Sequence, residues 1–177
     1  KEYGGKAVTF TGGEPLMNPD FVEIIEKAHQ LGLQITVLTN GLLWTEELID
    51  RLSAMLAEVQ ISIDGADDAS NAKVRKAGIF ETLVTQVIRF SRNGVRVSVA
   101  TTFTNDNIDA ADEYVKLVDR INEVTNKKVI FKLTKKLLPG REKHYTEEEN
   151  RVYEELIQRL ENLLDGNAKF DNFMDGH

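Results

Sequence analysis

Apolar positions recur along this chain with two different periods. Short runs rich in β-branched and other apolar residues, at 7–11, 34–39, 58–63, 96–103 and 128–133, each read as a strand. They are nearly continuous in apolar character, which suits parallel strands covered by helices. Between them the spacing changes to that of amphipathic helices. Asn18 is placed to cap a helix opened by Pro19, with Phe21, Ile24, Ile25, Ala28 and Leu31 on one face and Gly32 closing it. Thr45 starts a second, with Leu48, Ile49, Leu52 and Leu56 inward. A third spans 80–91, burying Leu83, Val84, Val87 and Ile88 and ending at Gly94, and a fourth covers 110–125. A capping box from Thr146 to Glu149 opens the last, whose inward face is Val152, Leu156, Ile157, Leu160 and Leu164.

Strict alternation of five strands and five helices predicts an α/β fold of parallel strands. Periodicity leaves two architectures open: a doubly wound sheet, or an arc of a (β/α) barrel. In both, ligands gather beyond the carboxyl ends of the strands. Those positions read Thr11-Gly12-Gly13-Glu14-Pro15, Thr39-Asn40-Gly41, Ser62-Ile63-Asp64-Gly65, Thr101-Thr102-Phe103-Thr104-Asn105 and Lys132-Leu133-Thr134. Two glycines at a strand end let backbone amides approach a ligand. Pro15 stiffens the exit, and Glu14 held on that turn can accept hydrogen bonds from a ligand ammonium. Asp64 and Ser62, two residues apart, face the same way and suit ribose hydroxyls or an amine. Each also has a plainer reading: a tight turn with an exposed carboxylate at Glu14, an Asx turn at Asp64, and a positive-φ turn at Asn40-Gly41.

Composition narrows the chemistry. The 177 residues carry a net charge of −7, which argues against nucleic acid held through the overall field. No apolar run reaches the length of a membrane span and no signal peptide opens the chain, so the cytoplasm is the expected location. There is no cysteine, so this stretch supplies no disulfide, thiolate nucleophile or cysteine-held metal. His29, His144 and His177 have no metal-ligand spacing. Lys127, Lys128, Lys132, Lys135 and Lys136 read as a solvated strand margin, with Lys132 the exception that alternation could turn toward a barrel centre. Trp44 reads as a staple at a helix start. Lys1 and the closing Asn172-Phe173-Met174-Asp175-Gly176-His177 do not look like natural termini, so the chain reads as an excised or trimmed piece.

With these residues in view, the chain resembles the radical S-adenosylmethionine (radical SAM) superfamily in order along nearly its whole length. Val8-Thr9-Phe10-Thr11-Gly12-Gly13-Glu14-Pro15-Leu16 is similar to that family's second-strand motif, Thr36-Val37-Leu38-Thr39-Asn40-Gly41 to its third strand, and Val59-Gln60-Ile61-Ser62-Ile63-Asp64-Gly65 to its fourth. Val74-Arg75-Lys76-Ala77-Gly78-Ile79-Phe80 resembles a stretch of peptide-modifying members with a SPASM extension, although Lys76 stands where glycine is usual and Asn71-Ala72 replaces a common His-Asp. Leu138-Pro139-Gly140-Arg141 and Phe173-Met174-Asp175-Gly176-His177 resemble elements of the same subgroup.

The resemblance implies a partial, TIM-barrel-like (β/α) barrel occupying 1–177. It would comprise roughly the second to sixth βα units, with the first unit missing and the tail at 165–177 leading toward a C-terminal extension. It implies S-adenosylmethionine as cofactor, contacted by Gly12, Gly13, Glu14, Pro15, Thr39, Asn40, Ser62, Asp64, Arg75 and Thr101. It further implies a 4Fe-4S cluster in the intact parent, held by a CxxxCxxC motif that this sequence lacks. The intact enzyme would cleave S-adenosylmethionine reductively to methionine and a 5′-deoxyadenosyl radical that abstracts hydrogen from a peptide or protein substrate, and the piece alone would be inactive. A natural homologue that lost its cluster, serving as a cluster-free nucleotide-binding or partner-binding scaffold, is the alternative. A missing first strand would leave the strand at 7–11 as an open edge and predicts dimerisation or domain swapping there.

Overall fold

The computed structural model describes residues 4–104, 106–126, 129–135, 146–164 and 168–171. Its elements alternate along the chain: β1 (Ala7–Phe10), α1 (Phe21–Gln30), β2 (Gln34–Thr39), α2 (Glu46–Leu52), β3 (Glu58–Ser62), α3 (Asp68–Ala72), α4 (Phe80–Arg92), β4 (Arg96–Phe103), α5 (Ala111–Thr125), β5 (Ile130–Lys135), α6 (Glu147–Leu164) and β6 (Ala168–Asp171). All six strands are parallel and lie in one sheet in the order of the chain.

That order decides between the two architectures. A doubly wound sheet reverses direction at a switch point and places helices on both faces, whereas a sheet that only advances keeps its crossovers on one face. Burial agrees. Ile35, Val37, Val59, Ile61, Val97, Val99, Phe131 and Leu133 are buried under the helices. The residues between them, Thr36, Leu38, Gln60, Ser62, Ala100, Thr102, Lys132 and Thr134, are only half-buried. One face of the sheet is therefore covered and the other is open and largely polar, as in an arc of a (β/α) barrel.

The open face carries its own polar network. Lys132 turns toward the centre as alternation predicts, and its Nζ reaches across β4 to donate to Glu58 Oε1 and Gln60 Oε1 on β3, both at 2.8 Å. Ser98 and Ala100, the small β4 residues at these levels, leave room for its stem. Ser98 Oγ also donates to Glu58 at 2.9 Å. Burial alone would raise the Glu58 pKa, but hydrogen bonds from Lys132 and Ser98, with the charges of Lys132 and Arg96, hold it below its ordinary value.

Several local expectations are revised. The first helix begins at Phe21, because Pro15–Met17 form a 3-10 turn and Asn18 makes an Asx turn, its Oδ1 accepting from the Asp20 N–H at 3.0 Å. Ile24 and Leu31 are exposed rather than inward. β5 spans Ile130–Lys135, and Lys128 lies outside the described residues. α3 and β6 were not expected: each is only 4–5 residues long, too short to show a period. β6 also places 168–171 in the sheet rather than in a tail. The Pro139-Gly140 element, the segment 172–177, His144 and Lys127 lie outside the described residues. Thr45 caps α2 through the Leu48 N–H, and the Thr146–Glu149 box forms in both directions. No helix among the described residues is long and apolar enough to cross a membrane. β1 pairs only with β2, so among the described strands its other edge is open.

Candidate functional site

Two corners are built where strands end. At the first, Thr11 leaves β1 and Gly12 takes φ +144°, a backbone state that side chains resist. Nothing lies within 4 Å of the position a Cβ would take on Gly12 or Gly13, so bare backbone borders open space. Immediately beyond, Glu14 is buried and caps the 3-10 turn that Pro15 begins. Its carboxylate accepts the Asn40 N–H at 2.7 Å, the Thr39 hydroxyl at 2.8 and 2.9 Å, and the Leu16 N–H at 3.3 Å. All these donors are neutral. A carboxylate offers about four acceptor positions, so these three donors leave capacity for a further one.

Thr39 is itself saturated. Its Oγ1 accepts from the Gly41 N–H at 3.0 Å and from the Trp44 indole at 3.1 Å, while its one proton goes to Glu14. Thr39 shares the helix-covered face with Ile35 and Val37. It thus supports Glu14, and its hydroxyl has no hydrogen-bonding position left for the cofactor contact expected of it. Asn40 is half-buried, with its Oδ1 accepting the Leu42 N–H at 2.9 Å.

The second corner is closed. Asp64, 2% exposed, accepts the Thr102 N–H at 2.7 Å on Oδ1 and the Arg75 Nε–H at 2.6 Å on Oδ2. Its own N–H donates to Asn71 Oδ1 at 3.0 Å, and its carbonyl accepts from Asn107 Nδ2 at 2.6 Å. Asn107 also donates to the Thr102 carbonyl at 2.9 Å, stapling the β3 and β4 exits together. Burial drives the Asp64 pKa up, outweighing the opposing charge and hydrogen bond of Arg75 and the Thr102 amide. Gly65 is required by space: an added Cβ would lie within 2.6 Å of Asn71 Cα and Ser70 C in α3.

Of the ten residues read from sequence, Gly12, Gly13, Glu14, Pro15, Thr39 and Asn40 come together at the first corner. Asp64 and Arg75 form the second, with Ser62 half-buried on the open face one period before Asp64. Thr101 does not join them. Strand parity turns it under the helices, where its hydroxyl donates to the Ile63 carbonyl at 2.6 Å and lies 2.5 Å from the Tyr114 hydroxyl. It is 1% exposed, so the expected cofactor contact is corrected to a structural role. Tyr114 is fully buried and its pKa is pushed up by desolvation, against the Thr101 hydrogen bond. Arg75 was expected near a cofactor carboxylate; its Nε is committed to Asp64. Sequence reasoning noted Asn71 only as a departure from the family pattern and missed Asn107. Their only signal was an amide some residues after a strand, which is common to many turns and short helices. No group of three or more metal-ligating side chains occurs among the described residues.

Residues 1–118 match the family model for the Radical SAM superfamily. The AdoMet-dependent heme synthase of Nitratidesulfovibrio vulgaris is 34% identical over 125 residues, covering 70% of this chain and 34% of that protein. Mycofactocin maturase MftC of Mycobacterium tuberculosis is 29% identical over 174 residues, covering 92% of this chain and 42% of that protein. Among solved structures, Streptococcus suis SuiB bound to S-adenosylmethionine superposes with a TM-score of 0.70 at 17% identity, covering 96% of this chain and 39% of that one. SuiB bound to its precursor peptide SuiA gives 0.71 at 16%, covering 96% and 38%. The chain thus spans between a third and a half of the length of these relatives.

Proposed function

The chain belongs to the radical SAM superfamily, and from that premise we propose that its first corner holds the methionine end of S-adenosylmethionine for hydrogen abstraction from a peptide or protein substrate. The carrying observation is the bare Gly12-Gly13 backbone bordering open space beside an immobilised, buried Glu14 that only neutral donors hold. An ammonium entering there meets a fixed anion with acceptor capacity to spare, a charge-assisted contact of roughly 1.5–3 kcal/mol. A methyl group at either glycine would fill the space such a ligand needs.

The roles divide accordingly. Glu14 accepts from the ligand amine, and Gly12, Gly13 and Asn40 line its approach. Pro15 fixes the turn, and Thr39 holds Glu14. Ser62, half-buried on the open face near the second corner, is placed to meet a ribose hydroxyl. Asp64 and Arg75 hold the β3 and β4 exits at that level. In this family S-adenosylmethionine supplies the hydrogen-abstracting group when bound to a reduced iron-sulfur cluster. The chain contains no cysteine, so the thiolates that hold such a cluster are not among its residues.

The peptide reading draws on MftC, named a maturase, and on SuiB, solved with a precursor peptide. The open sheet face supports it, because hydroxyls and amides at Thr36, Gln60, Ser62, Thr102 and Thr134 can pair with peptide groups. The test is equilibrium binding of S-adenosylmethionine to the full-length protein with its cluster reconstituted. Glu14→Gln is expected to weaken binding about tenfold; affinity equal to wild type would overturn the assignment.

A further inference from the structure

Trp44 does not line the first corner, yet the geometry points to it as the residue that sets the orientation of Glu14. We propose that Trp44 is a positioning residue acting through Thr39, and that helix α4 thereby holds the carboxylate in its ligand-accepting pose. This rests on the reading that Glu14 receives the ligand amine.

The Thr39 hydroxyl joins Trp44 to Glu14. A threonine Oγ1 has a single proton and two lone pairs, and all three are assigned here. The Trp44 indole N–H takes one lone pair at 3.1 Å and the Gly41 N–H the other at 3.0 Å. The proton then has only Glu14 to go to, and Oγ1 lies almost equidistant from the two carboxylate oxygens, at 2.8 and 2.9 Å. Remove the indole N–H and the hydroxyl regains freedom to rotate away from Glu14.

Trp44 is itself fixed from behind. It is 2% exposed, and its ring meets the Phe90 edge at a centroid distance of 5.0 Å and 80°. Its carbonyl accepts from Gln86 Nε2 at 2.7 Å. Gln86 and Phe90 are four residues apart on α4, so one helical face grips both the ring and the backbone of Trp44. The same face reaches Gly41: a Cβ there would sit 3.0 Å from Leu83 Cδ2 and 3.2 Å from Ile61 Cγ2, and the residue has φ +79°. The turn carrying both donors to Thr39 is thus clamped between α4 and β3, and no atom of Trp44, Gln86 or Phe90 lies within 4 Å of the position a Cβ would take on Gly12 or Gly13.

The test measures S-adenosylmethionine affinity in the cluster-reconstituted, full-length protein, with melting temperature recorded for each variant. Trp44→Phe keeps a ring against Phe90 and removes the donor; it is expected to weaken binding about tenfold. Thr39→Val is expected to lose as much or more, and Thr39→Ser, which restores the hydroxyl, to stay within about twofold of wild type. The double variant Trp44→Phe/Thr39→Val is expected to be no weaker than Thr39→Val alone, because both act on one hydrogen bond. A residue that merely stabilised the fold would lower melting without this non-additivity or the serine rescue. Wild-type affinity in Trp44→Phe, additive losses in the double variant, or wild-type affinity in Thr39→Val would each overturn the relay while Glu14→Gln remains weak. Wild-type affinity in Glu14→Gln would overturn the underlying site assignment, and the relay with it.

Discussion

Glu14 and Asp64 are the same kind of group in the same kind of place, a buried carboxylate just past a parallel strand, yet the protein treats them in opposite ways. Glu14 is met only by backbone N–H groups and a hydroxyl, and among the described residues no cation pairs with it. Asp64 is met by the Arg75 guanidinium, roofed by Asn71 and Asn107, and left 2% exposed. The neighbouring glycines tell the same story, for a Cβ has open space at Gly12 and Gly13 and strikes helix backbone at Gly65. Neutral donors immobilise a carboxylate without cancelling its charge, whereas a guanidinium consumes it. A held but uncompensated charge beside a space is what an incoming cation requires, and a compensated one serves to join strands.

If the second corner is closed because its parts fit backbone to backbone, Gly65→Ala should cause the largest loss of any change considered. Its methyl group would strike the start of α3, which cannot yield as a side chain would, and a destabilisation of about 3 kcal/mol in urea unfolding is expected. Asp64→Ala follows. It leaves Arg75, 29% exposed, without its counter-ion and the Thr102 N–H without an acceptor, at a cost of about 2–3 kcal/mol. The pH dependence has a definite sign. Because burial raises the Asp64 pKa, the folded state holds this proton more tightly than the unfolded chain does, so the group's contribution is greatest in acid. It then declines as pH rises from the ordinary value of 3.8 through the folded value. The stability difference between wild type and Asp64→Ala should therefore shrink over that window, and a difference that grew would show that the Arg75 charge dominates instead.

A third carboxylate on β3 sharpens the contrast. Glu58, at the opposite end from Asp64, has its pKa lowered despite its partial burial. Lys132→Met should cost about 1 kcal/mol, the pair being partly exposed. The Glu58 stabilisation is present above its ordinary value of 4.5 and is lost as pH falls through the folded value, so the variant should show a shallower loss of stability on the acid side.

How much of this was visible beforehand depended on the range of the interaction. Gly12-Gly13-Glu14-Pro15 and the inward turn of Lys132 were legible because both follow from local rules, glycine at a strand exit and two-residue alternation. The same alternation, applied to β4, would have placed Thr101 with Val99 and Phe103 under the helices, but Thr101 was read by its place near a strand end. Arg75 was singled out as a cofactor contact, whereas its partner in the structure is Asp64, eleven residues back; that pairing depends on how α3 folds over β3, and a five-residue helix leaves no periodic trace. The barrel arc needed strand order, which the parallel alternation alone does not contain. Trp44 was read as a staple at a helix start, but its indole hydrogen bond is a tertiary fact with no local signature.

The smallest effect on stability should accompany a large effect on binding, and this separates the two corners most sharply. At Gly12 the backbone sits at φ +144°, so Gly12→Ala carries a conformational penalty of about 1–2 kcal/mol even though its methyl group meets nothing. Gly13 lacks that constraint and has the same open surroundings, so Gly13→Ala should leave unfolding within about 0.5 kcal/mol of wild type. On the proposed reading its methyl group would nonetheless occupy the space through which the ligand amine reaches Glu14, and S-adenosylmethionine affinity should fall about tenfold or more. Measured together on the full-length protein, the two quantities distinguish a binding corner from a packing corner. Gly65→Ala moves both because the fold gives way, whereas Gly13→Ala moves only the second. Gly13→Ala with unchanged affinity would mean that the space beside Glu14 is solvent and not a ligand's approach.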